Sequence, residues 1–299
     1  RFNPCGEQMI TIPKVVATRF EQNDQDHLSH GLRSIGIGDL NTREISVVIK
    51  VGVFSAKTRI NTTVNVIEAL VTAFDKAPRI YLVESDSYGG SAESRLGIWN
   101  RVYDDRVIPF SLSSDKNTRE AKIAGEQVSF SHILFKPNVF ISTHVPRRYQ
   151  DAGNEDLMNM GSVLKNLLGL IPDLKKSRFH KKLPTALLDM YEAIGGIDLA
   201  LLDSTHTFLG VKRKKDKIQT NLLLIGRDAV SVEAVGQYLV GLDPMKNPVI
   251  VEAMKRGLGE GDIHKIEILG NQLEDSRENI IQSFRALFPK RVQKEKGWI

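Results

Sequence analysis

Cysteine is nearly absent from this sequence: Cys5 is the only one among 299 residues. A single thiol excludes an intrachain disulfide and any cysteine-held cluster within one subunit, so no iron–sulfur cluster is expected. Long apolar runs are missing too. No stretch approaches the roughly 18 residues needed to cross a bilayer. The segment Arg1–Lys14 is polar, is broken by Pro4 and Pro13, and lacks the apolar core of a secretory signal. The expectation is a cytoplasmic protein with no membrane partner. The short signatures of familiar chemistry are also lacking. There is no H-E-x-x-H, paired CxxC or EF-hand loop, no G-x-G-x-x-G or GK[ST] after a strand, and no nucleophile elbow for a Ser/His/Asp triad.

Positive charge is modestly in excess, at a formal +5. Much of it sits in Lys212–Lys217 and in the tail from Lys290-Arg291 to Lys296. Neither stretch carries interleaved aromatics for stacking on bases. Both read as solvated surface, with nucleic acid as the alternative partner.

Apolar residues occur instead as five short runs that end in charge. They are Ile45–Lys50, Ile80–Glu84, Ile133–Lys136, Ile197–Asp203 and Leu222–Asp228. Runs of this length and composition read as parallel strands covered on both faces by crossover helices. In such a sheet ligands bind beyond the carboxyl ends of the strands. Placed in one sheet, the five runs would bring Lys50, Glu84, Lys136, Asp203, Arg227 and Asp228 to one small volume.

Helical patterns separate the runs, as βαβ units require. Thr62–Lys76, Asn154–Leu168, Thr185–Ile194, Ala229–Val240 and a segment from Pro248 to Gly257 are expected helices. Ser276–Phe288 is expected to close the chain as an amphipathic helix, and Lys265–Leu269 as a short edge strand. The pattern weakens between the two halves, at 87–130, where a hairpin, small subdomain or lid is expected. The expected fold class is thus α/β: a mainly parallel sheet covered by helices, one domain with its core at about 45–270. A helix and basic tail follow at 271–299.

Val48–Phe54 (VIKVGVF) and Leu134–Phe140 (LFKPNVF) echo one another, each with a lysine before a turn and Val-Phe. The echo suggests two equivalent strand–lysine units, with Lys50 and Lys136 as a pair of functional cations. With Lys165 and Arg227 they suit a phosphate or carboxylate. Glu84, Asp203 and Asp228 are candidate ligands for a hard divalent ion. Asp228 is equally placed to cap the helix that follows it. His144 and His206 are the candidate bases, with Asp203 as a further proton-transfer group.

Several of these segments resemble the domain of unknown function 362 family: Lys136-Pro137-Asn138, Lys50 at a strand end, Glu84-Ser85, Thr143-His144, Lys165-Asn166 with Gly169, Asp203, Gly226 with Asp228, and then Gly241-Leu242-Asp243 and Gly257-Leu258-Gly259. The likeness runs over about 45–270. Lys50-Val51-Gly52 replaces a Lys-Pro-Asn-like turn, and Ser231 and Glu233 stand where the family tends to have Ala and Asp. The resemblance implies the order of the strands, adds Asn166 to the expected ligand-binding residues, and supplies no reaction. The resulting expectation is an enzyme for a small anionic substrate, with or without a divalent metal. The alternatives are a non-catalytic cofactor or metal carrier and a nucleic-acid-binding protein.

Overall fold

Alternation within the apolar runs sends successive side chains to opposite faces of one sheet. A computed structural model describes residues 12–21, 25–55, 57–149, 160–210 and 217–289. Its strands are β1 (Lys14–Arg19), β2 (Ser46–Lys50), β3 (Val53–Ser55), β4 (Ile60–Asn61), β5 (Ile80–Glu84), β6 (Val107–Ser111) and β7 (Thr118–Ile123). They continue with β8 (Glu126–Ser131), β9 (Asn138–His144), β10 (Arg147–Arg148), β11 (Met160–Gly161), β12 (Leu199–Leu209), β13 (Lys217–Gly226) and β14 (Glu267–Leu269). The helices are α1 (Gln25–Ser34), α2 (Val64–Ala73), α3 (Ala92–Leu96), α4 (Leu183–Ala193), α5 (Ala229–Leu239), α6 (Pro248–Lys255) and α7 (Leu273–Leu287).

The main sheet runs β14-β1-β13-β12-β9-β2-β5-β6. Its half from β12 to β6 is parallel throughout. One face carries Val47, Ile49, Leu82, Ile141 and Leu201, packed with Leu28 and Leu32 of α1 and Val66 and Leu70 of α2. The other carries Val48, Val83, Phe140, Ala200 and Leu202 with residues of α4, α5, α6 and α7. This is the expected α/β fold, with helices on both faces of a mostly parallel sheet.

Two of the five expected strands are different. Ile133–Lys136 is not a strand: His132–Leu134 is a turn of 3-10 helix, and the strand begins at Asn138. Pro137 has no N–H to give a ladder. The Asn138 side-chain amide then donates to the Ile133 and Lys136 carbonyls (3.3 and 2.7 Å), closing a turn there. Lys136 therefore stands before a strand whereas Lys50 ends one, and the two echoing segments are not equivalent. The Leu222 run lies within β13, which is antiparallel to β12, with Gly226 opposite Ala200. Only 210–216 joins β12 to β13, too short for a crossover helix. Arg227 and Asp228 consequently emerge at the end of the sheet where the parallel strands begin.

Other segments depart locally. Within 154–168, the described part is no continuous helix: Met160–Gly161 pairs with β10, and Lys165–Leu170 is a 3-10 turn. Of the 87–130 region, β6 extends the main sheet, while β7 and β8 form a hairpin whose Ala124 amide donates to Asp189 of α4 (2.7 Å). The runs 212–216 and 290–299 lie outside the described residues, as do 154–159.

Candidate functional site

The carboxyl ends of β2, β5 and β9 place Lys50, Glu84 and His144 on one cavity of about 740 Å3. The expected location beyond the strand ends is thus occupied by a cavity of ligand size. Lys165 and Asn166 also line it, as do residues that the sequence reading did not single out: Arg95, Arg147, Tyr149 and Lys176.

Its floor is a buried ion cluster. Lys50 Nζ donates to the Val51 carbonyl (2.8 Å), Glu84 Oε2 (3.1 Å) and Asn166 Oδ1 (3.1 Å). That satisfies all three ammonium protons. Burial holds Lys50 below its ordinary pKa, with Glu84 opposing. Arg95 lies 3.3 Å from the same Glu84 oxygen and also donates to the carbonyls of Ser85 (2.7 Å) and Val53 (2.5 Å). Asn166 ties three elements together through the carbonyls of Lys50 (2.9 Å) and Thr143 (3.1 Å). Lys50, Glu84 and Asn166 therefore build the wall, and their polar groups are engaged by the protein itself.

Gly169 makes that wall possible through space alone. A Cβ there would stand 2.7 Å from Lys50 Cε and Nζ and 3.1 Å from Glu84 Oε1. Lys50 is pinned by its three acceptors and cannot yield. Gly169→Ala should therefore destabilise the protein by about 1–3 kcal/mol. Gly97→Ala, where nothing lies within 4 Å of the added atom, should be neutral or slightly stabilising. Paired urea-unfolding curves check both.

Above the wall, cations outnumber their partners. Lys50, Arg95, Arg147, Lys165 and Lys176 line the cavity against one carboxylate, Glu84. Lys176 donates to Ser85 Oγ (2.5 Å), and burial lowers its pKa to about 8. Arg147 is 4% exposed, and its Nε and Nη1 have no hydrogen-bond partner among the described residues. Its remaining nitrogen donates to the Tyr149 hydroxyl. The guanidinium is 3.4 Å from the Phe54 ring centroid and 4.5 Å from that of Tyr149. Lys165 Nζ lies 4.4 Å from the Tyr149 ring centroid. Burial pushes the Tyr149 phenol up, but Arg147 and Lys165 pull it down further, to a net position below the ordinary tyrosine value.

Strand pairing fixes Arg147. It sits opposite Phe208 of β12 on one side and Gly161 of β11 on the other. Period-two alternation sends the next residue elsewhere. Arg148 donates to the Val240 carbonyl at the end of α5 (2.8 Å) and packs over Phe284 of α7 (3.9 Å).

His144 is the one expected base that lines this cavity. Burial, then Arg147 and Lys50, lower its pKa to about 3, so it is neutral at pH 7. Its Nδ1 lies 2.7 Å from the Val145 amide nitrogen and 3.0 Å from the Val145 carbonyl. The amide can only donate and is the nearer, so Nδ1 is assigned as its acceptor and the ring proton to Nε2. Gly52 lets the loop approach this ring: a Cβ there would be 2.8 Å from His144 Cγ.

The remaining candidates lie elsewhere. Asp203 accepts from Thr63 N (2.6 Å), Thr205 N (3.1 Å) and Thr205 Oγ1 (2.7 Å), so it caps the start of α2 from a distant strand. Burial raises its pKa. His206 follows a bulge in β12 outside the cavity lining, and burial with Lys217 lowers its pKa to about 4. Lys136 is exposed beside a smaller cavity of about 240 Å3, near the beginnings of β2 and β9. Arg227 is held by Asp39 (2.7 and 2.9 Å) and the Gly36 carbonyl (3.0 Å). Asp228 caps α5 through Val230 N (2.9 Å) and Ser231 N (3.0 Å), and its other oxygen accepts from Glu260 N (2.9 Å). Glu84, Asp203 and Asp228 are thus not brought together as a metal set. Among the described residues no three His, Cys, Asp or Glu side chains form a cluster able to hold a metal ion.

One buried carboxylate supports the cavity from behind. Glu233 of α5 accepts from Ser162 Oγ and from Leu164 N (3.1 Å), holding the segment that presents Lys165. Burial raises its pKa to about 7 from the usual 4.5. Between those two values the folded state keeps a proton that the unfolded state releases. Stability from this group therefore falls as pH rises from about 4.5 to 7, then levels off. Glu233→Gln should leave stability near pH 4.5 almost unchanged and gain on the order of 3 kcal/mol relative to wild type at pH 8. Urea midpoints at the two pH values provide the comparison.

No helix among the described residues is long and apolar enough to cross a membrane. A comparison with curated proteins finds no match. Residues 47–237, well over half of the chain, match the family described as Domain of unknown function (DUF362), and this segment includes the whole cationic wall from Lys50 to Lys176. The chain therefore belongs to the DUF362 family.

Proposed function

We propose that the protein is an enzyme that binds a small anionic substrate in the cavity at the ends of β2, β5 and β9. Arg147, Lys165 and Lys176 would face its phosphate or carboxylate. The observation that carries this reading is Arg147: a buried guanidinium, two of whose nitrogens have no partner among the described residues, beside a ligand-sized cavity. Buried charges are ordinarily paired, because leaving one unpaired costs several kcal/mol. Both nitrogens are covered by protein atoms, with the Phe54 and Tyr149 rings against the guanidinium. An oxyanion would supply the missing partner as the lining gives way to admit it, and the cations around it favour that exchange. Lys50, Glu84 and Asn166 would keep this surface rigid. Tyr149, between Arg147 and Lys165, is the group best prepared to exchange a proton, with neutral His144 as a hydrogen-bond donor.

Thermal unfolding in phosphate, sulfate and carboxylates, against chloride at equal ionic strength, tests the binding. A ligand specific for the native state adds about 2.7 kcal/mol at 100 times its Kd. At least one oxyanion should raise the melting temperature above the chloride control, and less so in Lys165→Met. If no oxyanion of the series does so, the reading fails.

A further inference from the structure

Inorganic phosphate would leave most of a 740 Å3 cavity unfilled, since pockets of about 300–1,000 Å3 suit ligands of drug size. The rest of the lining indicates what else must enter. Among the described residues five large apolar side chains are exposed, namely Ile12, Phe54, Tyr88, Leu174 and Met245. Three of these five, Phe54, Tyr88 and Leu174, line this one cavity. They come from separate parts of the chain: the β3–β4 hairpin, the loop after β5, and the segment between the 3-10 turn and α4. Scattered exposed apolar residues need no explanation, but convergence on one concave site does.

Resting on the reading that the cavity binds an oxyanion, we infer that its ligand is an amphipathic aromatic acid. The phosphate or carboxylate lies at Arg147 and Lys165, and a flat apolar body lies among Phe54, Tyr88 and Leu174. The chain already contains such an arrangement in miniature, with the Phe54 ring stacked 3.4 Å from the Arg147 guanidinium carbon. An aromatic body of the ligand would extend that stack and cover exposed apolar surface. Arg147 meanwhile gains an acceptor for the two nitrogens that have none among the described residues. A sugar phosphate satisfies the charge equally well but would set hydroxyl groups against the apolar side chains.

Titration calorimetry with 2-naphthyl phosphate, ribose 5-phosphate and inorganic phosphate separates these possibilities. 2-Naphthyl phosphate should bind at least tenfold more tightly than the other two. 2-Naphthol, which has the body without the anion, should bind at least tenfold more weakly than its phosphate. Tyr88 is 80% exposed and Leu174 45% exposed, so their replacement spares the core. The double variant Tyr88→Ser, Leu174→Ser should lose most of the naphthyl advantage and keep the affinity for inorganic phosphate. Equal affinity for all three phosphates would overturn the inference and leave oxyanion binding standing. So would a naphthyl advantage that the double variant retains in full. No binding of any phosphate would overturn it together with the reading beneath it.

Discussion

Replacing Arg147 with methionine is expected to leave the ligand-free protein within about 1 kcal/mol of wild-type stability, or to stabilise it, while weakening oxyanion binding about 30-fold or more. The two effects differ in sign because Arg147 is buried with two nitrogens that have no partner among the described residues. Each unsatisfied buried donor costs about 1–3 kcal/mol, a penalty that methionine removes. Against this stands the loss of the hydrogen bond to the Tyr149 hydroxyl and of two stacked contacts, with Phe54 and Tyr149, worth about 0.5–2 kcal/mol each. Methionine fills similar volume and itself packs well against rings. In the complex the balance reverses, since removing one partner of a buried charge pair costs about 2–5 kcal/mol. Urea unfolding and calorimetric titration of the same preparation check both. A purely structural arginine would give the opposite pattern: a large loss of stability with unchanged binding.

The largest loss of stability is expected from Glu84→Ala. Glu84 and Lys50 are each 1% exposed and Arg95 is 7% exposed, so the carboxylate is the lone buried anion between two buried cations. Removing one member of a buried ion cluster costs about 3–5 kcal/mol, because the others remain charged and unpaired. In a chain of this size that is on the order of 10 °C in melting temperature. Backbone acceptors soften the cost but do not cancel it: Val51 for Lys50, Ser85 and Val53 for Arg95. Removing the cation as well should recover part of the loss, so the pair Lys50→Met, Glu84→Gln should be more stable than Glu84→Gln alone, which keeps the volume that Glu84→Ala gives up. The contrast separates loss of charge balance from loss of volume. A loss below about 1 kcal/mol for Glu84→Ala would contradict the buried cluster.

Much of the fold was legible because a parallel strand buried on both faces leaves a plain trace. Ile45–Lys50, Ile80–Glu84 and Ile197–Asp203 all correspond to strands that run parallel in the sheet, with Lys50 and Glu84 at strand ends. The run before Lys136 misled because ILFK is apolar enough for a strand, yet Pro137 and the Asn138 side chain close a turn after it. The strand is the next stretch, Asn138–His144. Its carboxyl end carries His144, with Arg147 and Tyr149 just beyond, and all three line the cavity.

The direction of β13 was open to the same kind of reading. Thr205, Thr207 and Phe208 extend β12, and Lys217–Asn221 extend β13, so the link shrinks to a length that only an antiparallel pair can use. The roles of the acidic residues were less accessible. Asp228 does cap the helix that follows it, as its position suggests, but its other oxygen bonds an amide 32 positions later, and Asp203 accepts from the Thr63 amide 140 positions earlier. Such long-range partners leave no local pattern. The same holds for the meeting of Phe54, Tyr88 and Leu174, which depends on three loops that only the sheet brings together.

Diffraction from crystals soaked in 4-iodobenzoate, with the iodine located by its anomalous signal, is the most direct test of where the oxyanion lies. The arrangement described here predicts the carboxylate within hydrogen-bond distance, about 2.7–3.2 Å, of Arg147 Nε or Nη1. The iodine should then lie among Phe54, Tyr88 and Leu174. An iodine peak elsewhere on the protein, with the Arg147 nitrogens still unpartnered, would contradict it.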